Sequence, residues 1–158
     1  MTVPTFRSLQ QKVCAFAIAL AFAFMAAGGA AAASKQHRVA IQIDQNDPAV
    51  MNMVLNNAKN VIEHYRAKNE DAEVEIVAYG PGLHMLRDDT SPVKDRIKQM
   101  VEVNYPSKIR FSGCNNTKEG MEKREGHAIT LIPQATIVPA GVVRLMELQE
   151  DGWSYVRP

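Results

Sequence analysis

Apolar and polar positions switch between two periods along this chain. Short runs with strand character at residues 39–44, 73–79, 108–112 and 136–139 alternate with stretches whose apolar residues recur every third or fourth position. The first helical stretch opens at Asp47-Pro48. Asp47 is a good N-cap, and proline suits the first helical position. Val50, Val54, Ala58, Val61, Ile62 and Tyr65 then share one buried face, while Asn52, Asn56, Asn57 and Asn60 fall on a face read as solvated. Gly80-Pro81-Gly82 ends the second strand in a tight turn. Ser91-Pro92 starts a helix with Val93, Ile97, Met100 and Val101 inward. Asn116 with Glu119 forms a capping box for the next helix. Residues 141–151 make a helix with Val142, Leu145, Met146 and Gln149 inward, stopped by Gly152, and 153–156 supply a fifth strand.

Strands separated by helices of this length predict a parallel sheet covered on both faces. Right-handed crossovers place every strand's carboxyl end on one edge, where ligands bind in such folds. That edge gathers residues 44–46, 80–84, 113–117 and 139–141. No repeat, linker or low-complexity segment follows residue 34.

The first 33 residues read differently. Arg7 and Lys12 are the only charges before Lys35, an apolar run spans 13–27, and Ala31-Ala32-Ala33 satisfies the small-residue rule of signal peptidase. This is the pattern of a secretory signal peptide, with an uncleaved membrane anchor as the alternative. Cleavage after residue 33 leaves 125 residues, a single domain at 34–158, and moves the net charge from +1 to −1. The mature protein is then expected to be periplasmic or secreted, with no membrane segment of its own. A near-neutral chain with 6% aromatic residues gives no electrostatic reason to bind nucleic acid.

Cleavage also removes Cys14 and leaves Cys114 as the sole thiol. No disulfide can then form within one chain, so this thiol is reactive, buried and inert, or paired with another molecule. Cys114 lies in Gly113-Cys114-Asn115-Asn116-Thr117, where a strand turns into a helix start. Unpaired amides and the positive end of the helix dipole favour a thiolate there. Asn115, Asn116 and Thr117 can donate further hydrogen bonds. Gly80, Gly82 and His84 share the same edge; turn geometry explains the glycines equally well, and His84 is either a crevice base or a surface histidine. His37, His64 and His127 lack ligand spacing, so no metal is expected. No dinucleotide fingerprint and no hydrolase triad are present, and no cofactor is expected. The charged run 118–125 reads as a solvated helix face.

The ordered set of segments resembles the DsrE/DsrF-like family. It comprises Ile41-Gln42-Ile43-Asp44, Leu55-Asn56-Asn57-Ala58, Val77-Ala78-Tyr79-Gly80-Pro81-Gly82, Gly113-Cys114-Asn115-Asn116-Thr117, Val138-Pro139-Ala140-Gly141-Val142 and the ending from Gln149 to Val156. The similarity spans nearly all of 38–158 and is nearest to an exported branch. It implies a three-layer α/β/α sandwich of flavodoxin-like type with a mostly parallel five-stranded sheet, assembled as trimers or hexamers. It further implies a sulfur carrier rather than a turnover enzyme. Cys114 would hold a persulfide, passed between a donor and an acceptor that are proteins or small thiols. The competing reading is a ligand-binding or assembly module in which the thiol is incidental.

Overall fold

The computed structural model describes residues 37–103 and 108–158. The expected signal peptide, with Cys14 and its cleavage point, lies outside the described residues. β1 (His37–Ile43) leads into α1 (Pro48–Arg66), whose first turn is capped by the Asp47 carboxylate accepting from the Ala49 amide at 2.7 Å. β2 (Ala72–Ala78) runs into a 3₁₀ helix (Gly80–Leu86), a longer element than the tight turn that glycine and proline predict. Then come α2 (Lys94–Val103), β3 (Lys108–Cys114), α3 (Asn115–Glu125), β4 (Ala135–Val138), α4 (Gly141–Glu150) and β5 (Ser154–Val156). All strand pairs are parallel, in the order β4-β3-β2-β1-β5. The chain steps outward from β1 to β4, then crosses back along α4 to set β5 beside β1. This is a flavodoxin-like α/β arrangement.

Strand alternation sorts the core into two layers. Val39, Ile41, Ile43, Val74, Ile76, Ala78 and Phe111 face Met51, Val54, Leu55, Ala58 and Ile62 of α1, with Ile97 and Met100 of α2. On the other face Ala40 and Val77 meet Leu145 and Leu148 of α4 and Trp153. That second layer also contains Glu75, only 1% exposed. Arg144 of α4 donates to both its oxygens, Nε to Oε1 at 2.7 Å and a terminal nitrogen to Oε2 at 2.8 Å, and Ser112 Oγ donates at 2.7 Å. Burial pushes the Glu75 carboxyl up. The hydrogen bonds from Arg144 and Ser112 and the charges of Arg144 and Arg110 outweigh it and hold the group below its ordinary value. The bidentate pair fastens α4 to the central strand.

Several inward positions are corrected. Val142 and Met146 are 57% and 54% exposed and Gln149 is exposed as well, because the buried stripe of α4 runs through Gly141, the expected Leu145, and Leu148. Val101 is also exposed, since Ile97 and Met100 complete the stripe of α2. Asn52 and Asn56 do not simply face water: each side-chain oxygen accepts from Arg96 of α2 at 2.6 Å. Nor is the run 118–125 merely solvated. Glu125 receives two hydrogen bonds from Arg87, at 2.7 and 2.8 Å. Arg87 is 2% exposed and also donates to both oxygens of Asp89, at 2.9 and 2.6 Å. It thus ties the end of the 3₁₀ helix to the end of α3.

The Arg87 guanidinium holds the Asp89 carboxyl down from its ordinary 3.8 to about 2. A depressed carboxyl contributes stability that is complete above 3.8 and lost as the pH falls through about 2. The native protein should therefore melt above Asp89→Asn at neutral pH, and the gap in Tm should close over that acid range. A gap that stays constant on acidification would show that Arg87 makes no use of the Asp89 charge.

Candidate functional site

Cys114 is the last residue of β3 and the N-cap of α3, with φ −69° and ψ 117°. The cap is therefore the cysteine itself rather than Asn116. Asn115 turns along the outside of α3, where its amide donates to Glu119 at 2.8 Å. Cys114 is a free thiol and 6% exposed. Strand alternation puts it on the same face as Ser112, under the start of α4.

The sulfur sits in a polar cup. The Thr117 amide donates to Sγ at 3.4 Å. The Thr117 hydroxyl and the amides of Gly141 and Asn116 also favour the anion on this sulfur. Thr117 Oγ1 itself accepts from the Gly80 amide at 3.0 Å, which leaves the hydroxyl hydrogen for the sulfur. The Asn116 amide also reaches the Pro139 carbonyl at 3.2 Å, holding the start of α3 against the approach to α4. Burial pushes the thiol up. The donors together outweigh it, so the thiol lies below its ordinary 9.0. The cup thus draws on the N-termini of two helices, α3 and α4, of which only the first was legible in the sequence.

Gly141 is fitted to this place. A Cβ there would stand 2.9 Å from Tyr79 Cβ and 3.1 Å from Cδ1, so a larger residue must displace either Tyr79 or the first turn of α4. Arg144, one turn on, is the residue that clamps α4 to Glu75. The sequence carried one signal for that clamp: Glu75 stands mid-strand in β2, between Val74 and Ile76. A charge buried there requires a cation.

The other expected site residues divide. Gly80, His84, Asn116 and Thr117 come together along a groove of about 390 Å³ at the carboxyl edge, joined by Asn46 and Arg124. Gly80 turns the chain there with φ +51°. His84 Nδ1 is hydrogen-bonded to Thr90 Oγ1 at 2.8 Å. Gly82 is buried beneath, where an added Cβ would stand 2.3 Å from the Ile43 carbonyl oxygen. Its part is close packing of the 3₁₀ helix on β1. Among the described residues no cluster of three or more His, Cys, Asp or Glu could hold a metal ion.

Open α/β sheets hold ligands where the strand order reverses, here between β1 and β5. That point is filled by the chain's own side chains. Tyr155 donates to Gln42, Gln42 donates to Asp44 at 2.8 Å, and Arg157 reaches Asp44 at 3.2 Å. The groove and the thiol lie farther along the edge, at the ends of β2 and β3.

A hydrogen bond to a charged acceptor is worth about 1.5–3 kcal/mol. Removing the hydroxyl in Thr117→Val should lower the thiolate fraction, and with it the iodoacetamide labelling rate at neutral pH, by about tenfold, while Thr117→Ser keeps most of it. Gly141→Ala should shift the labelling curve to higher pH as α4 lifts. Labelling that is the same in all three proteins would show that these donors do not set the thiol.

No protein-family model and no curated protein matches the chain. Among solved structures it is similar to a Methanobacterium thermoautotrophicum protein of unknown function, MTH1491. The two are 28% identical with a TM-score of 0.63, over 77% of this chain and 99% of that one. The likeness extends to the whole of the other protein and agrees with the flavodoxin-like fold.

Proposed function

We propose that this is an exported protein of the DsrE/DsrF-like kind that carries sulfane sulfur on Cys114. One observation supports this above the rest: a free thiol at a sheet's carboxyl edge is surrounded by hydrogen-bond donors from two helix starts. Such a cup favours an anion on sulfur and needs no acid–base partner. The Cys114 thiolate lone pair attacks the outer sulfur of a persulfide R–S–SH. The donor's S–S bond breaks, its electron pair leaves as R–S⁻, and Cys114 keeps the S–SH group. An acceptor thiolate then attacks that outer sulfur in the same way, and Cys114 leaves as thiolate. No outside oxidant or reductant is consumed, which suits a carrier. The leader at 1–33 supplies the export part of the reading.

A second reading has its own support. Val142, Val143 and Met146 leave an apolar face on α4, and Ile137 of β4 is exposed beside the same edge of the sheet. An assembly or partner-binding module would use such a surface, with the thiol incidental.

The two part at one experiment. Mature protein exposed to polysulfide should gain the mass of one or more sulfur atoms at Cys114, lose it to added thiol, and gain none as Cys114→Ser. Alkylation of the native protein should proceed below the ordinary thiol pH range. If Cys114 labels only after denaturation and takes up no sulfur, the carrier reading fails and the module reading stands.

A further inference from the structure

The groove beside the thiol has features that the cup does not need. Arg124 supplies its cation, His84 an imidazole, Asn46 and Asn116 its amides, and no carboxylate lines it. Glu125, whose charge reaches His84, is taken up by Arg87. The Arg124 side chain is exposed and makes no hydrogen bond or ion pair with any described residue, whereas those of Arg87, Arg96, Arg110, Arg144 and Arg157 are all engaged. A free guanidinium is a fork shaped for a carboxylate.

The floor of the groove is also kept bare. Gly120 sits in the interior of α3, where glycine costs about 1 kcal/mol relative to alanine. A Cβ there would meet only the Arg124 guanidinium, at 3.6 Å, so packing does not demand the glycine. What it preserves is open space under the arginine. A volume of about 390 Å³ is at the small-ligand end of binding clefts and exceeds what a bare inorganic anion fills. Asn116 and Thr117 belong both to this groove and to the cup around Sγ. An occupant therefore touches two residues of the cup, while Cys114 itself lies behind them and does not line the groove.

We propose that the groove binds the carboxylate-bearing body of a small organic thiol, and that this class of molecule is the sulfur donor or acceptor. The inference rests on the carrier reading for the sulfur step alone; binding to the groove does not depend on it. Arg124 takes the carboxylate, His84 and the amides orient the rest, and the donor's sulfur is brought to Cys114 for the exchange written above.

The probe is glutathione, a carboxylate-bearing tripeptide thiol, against its diethyl ester, which has lost both carboxylates and keeps the amino group. Titration calorimetry on the mature protein should show glutathione binding and little binding of the ester. Arg124→Gln, at an exposed position, and Gly120→Leu, which improves the helix and fills the floor, should each weaken glutathione about tenfold or more. Loading of Cys114 from glutathione persulfide should fall in both variants, while loading from inorganic polysulfide stays within about twofold. Equal binding of acid and ester, or native behaviour in both variants, overturns the groove inference even if polysulfide loads Cys114. If glutathione binds as described but no donor ever loads Cys114, the groove inference holds and the carrier reading falls.

Discussion

A sulfur atom almost removed from water, yet eased toward its anion, is the constraint around which this fold is arranged. Burial alone would keep Cys114 protonated and inert. Peptide dipoles offset that penalty, and they come from separate places: the first turn of α3, the first turn of α4, and a threonine hydroxyl oriented by the start of the 3₁₀ helix. Local chain geometry can supply only the α3 share. The rest requires β4 to pair with β3, so that the chain re-enters beside the thiol before α4 begins.

The supporting polar contacts follow from that need. Glu75 is a costly residue on a central strand, but its bidentate partner Arg144 lies one turn into α4, next to the amide that faces the sulfur. Arg87 does similar work at the far end of α3, joining it to the 3₁₀ helix that carries Gly80. Buried ion pairs are weak sources of net stability, because desolvation consumes much of the attraction. Their value here is positional: they fix helices whose first turns must meet at one atom.

Much of the fold was legible in the sequence because it rests on local signals. Periodicity and caps gave each strand and α-helix to within a few residues, though not the 3₁₀ helix, and parallel topology alone put Cys114 at the carboxyl edge of the sheet. What stayed hidden was phase and pairing. α4 carries apolar residues on two faces, and the sequence pattern favoured Val142 and Met146. The structure turns Leu145 and Leu148 inward, with Gly141 close against Tyr79 and Arg144 paired with Glu75. Arg87, Arg124 and Gly120 carried no local signature, since their roles depend on which neighbours the tertiary fold leaves charged or empty.

The polar cup has a thermodynamic counterpart. The native chain holds its thiol at a lower pKa than the unfolded chain does, so ionisation and folding are linked. The native state gains on the unfolded one as alkali removes the proton, beginning at the folded value and levelling off once the denatured thiol has ionised too. By the same linkage, whatever parts the two helix starts lets the thiol's pKa climb back toward that of the unfolded chain. The ionisation of this one atom is thereby a gauge of tertiary order.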